Sequence, residues 1–99
     1  MIPLLLLGSL ATEYQKEGVF SNGYSDSRVK ENIFVITFRA NEYTPPETVM
    51  KYALKRAEEV TKKHGYARFI VIDQVDTSKV GSKKHLPYPS VRLTIQCFH

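Results

Sequence analysis

The residues best equipped for chemistry lie in a few short stretches of this 99-residue chain. Gly23-Tyr24-Ser25-Asp26 gathers a phenol, a hydroxyl and a carboxylate, a set able to hold a small polar ligand, with Tyr24 and Asp26 as the contacts. The same residue types also build turns, because Gly supplies unusual backbone angles and Ser or Asp caps them, and that structural role is the preferred reading. Residues 76–89, DTSKVGSKKHLPYP, form a basic loop in which Lys83, Lys84 and His85 stand near Tyr88. Such a loop can meet an anion, but nucleic-acid binding also asks for exposed aromatics interleaved with the cations, and neither an RNP-like strand nor a GxxG between helices is present. Gly81-Ser82-Lys83-Lys84 lacks the first glycine of a phosphate loop and its strand-to-helix setting.

The remaining reactive side chains are scattered. Asp73 follows Phe69-Ile70-Val71-Ile72, where an α/β strand often delivers a catalytic carboxylate, yet no base or nucleophile accompanies it. His64, His85 and His99 fall on a helix end, a loop and the last position, with no zinc-like spacing. Cys97, the one cysteine, shares a strand face with Val91, Leu93 and Ile95 and reads as a small apolar core residue. We therefore expect no enzyme, no catalytic residue, no metal ligand and no cofactor. A net charge of +4 is compatible with an anionic partner, but a solvated lysine-rich surface is the preferred reading.

The elements that must position these groups are legible in the apolar spacing. Residues 12–31 read as a largely irregular arm with room for one short strand, and Ser25 or Asp26 could cap a helical turn over 27–30. Ile33 to Ala40 alternates as a strand, with Phe34, Ile36, Phe38 and Ala40 on one face. A helix over 45–64 follows: Thr44 is the expected N-cap of a Thr-x-x-Glu box with Glu47, and Val49, Ala53, Leu54, Ala57, Val60 and His64 form its apolar stripe. The nearly continuous run ARFIVIDQV, 67–75, predicts a strand buried on both faces. A last strand over 90–98 alternates, with Arg92, Thr94 and Gln96 pointing out. The order β-α-β-β predicts an α+β two-layer sandwich, one helix on a small mixed sheet whose first two strands are parallel neighbours.

Residues 1–11, MIPLLLLGSLA, stand apart as an apolar leader ahead of a single domain over 12–99. They are too short to span a bilayer as a helix, which needs about 20 residues. Their length suits the apolar region of a signal peptide, although no Lys or Arg precedes it; a buried N-terminal strand is the alternative. Leu7-Gly8-Ser9 fits the end of a lipoprotein signal, but Leu10 stands where the lipidated cysteine belongs, so either lipidation is lost or a cysteine has been replaced.

Taken together, Tyr14-Gln15, Gly23-Tyr24-Ser25-Asp26, Asn32, Val35, Phe38-Arg39-Ala40-Asn41, Thr44, Tyr52-Ala53-Leu54-Lys55-Arg56-Ala57-Glu58, Gly65-Tyr66, Phe69 and Asp73 resemble a family of small bacterial envelope lipoproteins of unassigned function. The likeness spans residues 11–75. Family members carry the lipidated cysteine just before an Ala-Thr-x-Tyr-Gln stretch, matched here by Ala11-Thr12-Glu13-Tyr14-Gln15 after Leu10. The resemblance implies export to the cell envelope, facing the periplasm, and contributes no catalytic residue. The functional expectation is a non-enzymatic envelope domain that binds an envelope protein or a second copy of itself, as a homodimer, through a sheet edge. The alternative is a small-ligand or nucleic-acid module using loop 79–88.

Overall fold

The structure, a computed structural model, describes residues 10–19, 21–79 and 88–99. Among them run β1 (Gly23–Lys30), β2 (Ile33–Arg39), α1 (Pro46–Lys63), β3 (Arg68–Asp76) and β4 (Ser90–Phe98). The expected α+β architecture, one helix on a small sheet, is observed. The sheet has four strands in the order β1-β2-β4-β3, and every neighbouring pair is antiparallel, so it is not mixed. β2 and β3 do run in the same direction across α1, but β4 lies between them and pairs with both. The reason is visible in β4 itself. Val91, Leu93, Ile95 and Cys97 are all buried on one face, and a strand with so continuous an apolar row is best placed at the centre, under the helix.

β1 replaces most of the irregular arm expected over 12–31. Gly23-Tyr24-Ser25-Asp26 is not the turn before the first main strand; it is the first half of β1, which pairs with β2 from Gly23 opposite Arg39 to Lys30 opposite Ile33. The reversal is made by Glu31 and Asn32, with the Arg28 guanidinium donating to the Glu31 carbonyl at 2.9 and 2.6 Å. A polar strand is tolerated here because β1 lies at the sheet's outer edge and has little to bury.

The helix matches its predicted limits to within a residue, but its start is built differently. Pro45 is the N-cap with no side-chain cap bond, and Pro46 fills the first helical turn, where a missing N–H is harmless. Thr44, read as the cap, instead accepts the Thr12 N–H and donates to Asn41 Oδ1, both at 2.8 Å. The far end closes as a Schellman motif. Gly65 takes φ +84°, its N–H reaches the Lys62 carbonyl, and the Tyr66 N–H reaches that of Thr61.

Val49, Ala53, Ala57 and Val60 face Phe34, Ile36, Phe38, Leu93 and Ile95 to form the core. The two alanines let the helix approach the sheet closely. Leu54, placed in the buried stripe by spacing, is 38% exposed, and Thr61 takes a buried place, its hydroxyl donating to the Ala57 carbonyl at 2.7 Å. On the opposite sheet face no described helix or strand packs. Ile33, Val35, Thr94 and Gln96 stay half-buried there.

β3 departs most from expectation. Instead of being buried on both faces, seven of its nine residues are exposed. It is the outer strand beside β4, and it carries a bulge at Ile72 between Val71 and Asp73. Before the bulge, Phe69 and Val71 oppose Cys97 and Ile95 on the helix side. After it, Gln74 and Asp76 oppose Leu93 and Val91. The extra residue reverses the in–out alternation, so one unbroken apolar run is shared between two faces rather than buried on both.

Candidate functional site

Two parts of the molecule hold residues singled out by their chemistry. The first is a polar and aromatic cluster built where the arm crosses β1. The arm runs beside the start of β1: the Tyr24 N–H donates to the Gln15 carbonyl and the Glu17 N–H to the Tyr24 carbonyl, both at 2.7 Å. Gly23 makes this crossing possible. A Cβ there would lie 2.2 Å from the Gln15 oxygen, and its φ of +150° disfavours any other residue. The crossing lays Tyr14 against Tyr24, Phe38 and Tyr52, with ring centroids 5.0, 6.4 and 5.4 Å away.

Charged groups from α1 close over these rings. Arg56 donates to Asp26 Oδ2 at 2.7 Å and to Glu59 Oε1 at 3.2 Å, and its guanidinium lies 4.3 Å from the Tyr24 ring centroid. The Tyr14 phenol donates to Glu59 Oε1, and Lys55 Nζ sits 4.4 Å from the Tyr14 ring. Burial, then the hydrogen bond and charge of Glu59, push the Tyr14 phenol far above the ordinary tyrosine value. Burial works against the Arg56 cation, but its bonds to Asp26 and Glu59 outweigh that and raise its pKa. Tyr24 and Asp26 are thus already engaged by their own chain. The cluster fastens arm, β1 and α1 together and leaves no free acid, base or nucleophile pair.

The second part is the outer edge of β3. Ile70, Val71 and Ile72 are 50, 38 and 47% exposed, side by side on a strand whose far side has no partner among the described residues. Arg68 opens the strand, its guanidinium over the Phe98 ring, and Asp76 closes it. The Ser78 N–H donates to Asp76 Oδ1 at 2.9 Å, and hydrogen bonding from Ser78 lowers the Asp76 pKa.

The other sequence candidates do not assemble into a site. Lys83, Lys84 and His85 lie outside the described residues. Tyr88 is described: it pairs with Lys79 through two backbone hydrogen bonds of 2.8 and 3.1 Å. Asp73 is exposed on β3, opposite Thr94. Cys97 is buried, its Sγ 3.4 Å from the Thr61 hydroxyl. Among the described residues no His, Cys, Asp or Glu group is arranged to hold a metal ion, and no helix is long and apolar enough to cross a membrane. Sequence reasoning missed the β3 edge, although the signal was present: an apolar run ending in Asp73-Gln74 is poorly suited to burial on both faces. No protein-family model, curated protein or solved structure matches the chain.

Proposed function

We propose that this chain is a non-enzymatic module of the cell envelope that associates with a second copy of itself through the edge of β3. The observation that carries the reading is the exposed Ile70-Val71-Ile72 row on a strand whose outer side has no partner among the described residues, since an apolar edge offers both backbone hydrogen bonds and contact area to an incoming strand. The strand's own charges favour an identical, antiparallel occupant. When two copies of β3 pair about a two-fold axis at Ile72, Arg68 of each stands across from Asp76 of the other. Placement at the envelope rests on the apolar leader and on the resemblance carried by Ala11-Thr12-Glu13-Tyr14-Gln15.

The magnitudes make this a weak pair. Covering the exposed half of each isoleucine contributes about 1 kcal/mol, and each new backbone hydrogen bond about 1 kcal/mol more. Lost rigid-body freedom opposes these with at least about 4 kcal/mol, which places the dissociation constant on the order of micromolar or above. Sedimentation across a concentration series tests the idea. Ile72→Lys sets two ammonium groups face to face at the axis and shifts the protein to monomer at every concentration, with folding stability changed by no more than about 0.5 kcal/mol because the site is exposed. A wild-type chain that stays monomeric at millimolar concentration overturns the proposal.

A further inference from the structure

We infer that the concave end of the uncovered sheet face is a binding site for a phosphate-bearing ligand. A groove of about 490 Å³ opens there between the arm, the end of β2 and the start of β4. Its walls carry Arg39, Arg92 and Lys79 as cations, with Thr37 and Tyr88 beside them, while the Ser90 hydroxyl is engaged with that of Thr77 at 2.6 Å. None of these positions belongs to the β3 edge, so this inference is independent of the self-association reading.

The strand register explains why the cations converge. Thr37 opposes Arg92 and Arg39 opposes Ser90, so the two arginines stand diagonally on one face of the β2–β4 pair, about 7–8 Å apart. The Lys79–Tyr88 bridge, just beyond the end of β3, brings an ammonium group to the same rim. The one carboxylate in the lining, Glu17, is spent on Arg39 at 3.3 Å. Among the described residues neither Arg92 nor Lys79 has a carboxylate partner.

Two uncompensated cations in a concavity focus a positive potential and match the charge of a phosphomonoester dianion. A guanidinium fork, an ammonium group and the neighbouring Thr37 hydroxyl are the donors such an oxygen-rich group accepts from, and Tyr88 offers a ring against which the rest of the ligand can lie. A monocarboxylate would leave one charge unmatched. The ligand's phosphate can belong to a soluble phosphomonoester or to a lipid headgroup, because the groove reads only the chemistry they share.

The test follows amide resonances of the full chain as inorganic phosphate is added, alongside flotation with phosphatidylcholine vesicles with and without phosphatidic acid. Binding moves the amides of Thr37, Arg39, Lys79, Tyr88 and Arg92 and leaves those of β3 in place. Arg92→Gln weakens it about tenfold, as loss of a charge-assisted hydrogen bond predicts, and Arg92→Gln with Lys79→Gln abolishes it. Lys63→Gln, a lysine outside the groove, leaves it unchanged. Arg92 is exposed on the sheet surface, so the variants stay folded, which the amide spectrum itself reports. A response to inorganic phosphate without flotation assigns the site to soluble phosphomonoesters; flotation that depends on phosphatidic acid and on Arg92 assigns it to headgroups. If neither probe binds, or if binding survives the double substitution, the inference is wrong.

Discussion

The sheet ends in two outer strands that manage their open edges in opposite ways. β1 is mostly charged and polar, Val29 being its one exposed aliphatic side chain among the exposed Asp26, Ser27, Arg28 and Lys30, and the arm lies beside its beginning. β3 places Ile70, Val71 and Ile72 in the open with no charged residue among them. Both strands carry a bulge, at Val29 and at Ile72, so irregularity alone does not distinguish them. What differs is chemistry and cover. Exposed edges with charge resist pairing with other chains and apolar ones invite it. Among the described residues one edge of this domain is guarded and the other is open, which is the basis for proposing self-association through β3.

Three experiments break or sharpen that contrast. The largest effect is expected at Gly23. Gly23→Val drives a side chain into the Gln15 carbonyl at an unfavourable φ and should cost about 3 kcal/mol in a urea titration. It should also release the amides of Glu17 and Tyr24 to fast hydrogen exchange. Should these amides stay protected, the arm is not what guards β1.

A smaller effect is expected at the ends of β3. Asp76→Arg sets arginine opposite arginine in the proposed pair and weakens self-association about tenfold, while Arg68→Asp with Asp76→Arg restores it. Charge at β1, introduced as Val29→Lys, leaves association unchanged. Failure of the double exchange to restore pairing would remove the antiparallel register centred on Ile72.

The smallest concerns Tyr14. Tyr14→Phe removes the hydrogen bond to Glu59 and costs about 1 kcal/mol at neutral pH. Because the folded pKa of the phenol is raised, this contribution is fully present below the ordinary tyrosine value of about 10 and is lost as pH rises through the folded value. Wild-type and variant denaturation curves should therefore converge in strong alkali. Curves that stay equally separated would place the effect in packing rather than in the phenol.

The parts legible in the sequence were those where burial imposes a period. Val49, Ala53, Ala57 and Val60 declare the helix, and Phe34-Ile36-Phe38 and Leu93-Ile95-Cys97 declare the central strands, because a one-step slip in any of them would expose a full apolar face. The outer strands lack that constraint. β1 buries too little to show alternation, so its glycine, serines and aspartate read as turn residues. In β3 the bulge shifts the alternation midway, and the resulting run imitates a strand covered on both sides. The insertion of β4 between β2 and β3 is a property of pairing, which no single segment encodes. Of the site residues, Tyr24 and Asp26 read in the sequence as ligand contacts or turn residues; in the structure both meet Arg56, which lies 30 residues from Asp26, a partner that spacing could not reveal. Arg39 and Arg92 converge through register alone.

The arm is pinned at two separate places. The Leu10 carbonyl accepts from the Asn41 side chain at 2.6 Å, and the Thr12 hydroxyl accepts the Asn41 N–H at 2.9 Å, just after the end of β2. Gln15 and Glu17 are bonded to Tyr24 at the outer edge of β1. Held at both points, the arm spans the β1–β2 hairpin like a clasp, and the outer strand cannot peel from the sheet without first releasing it.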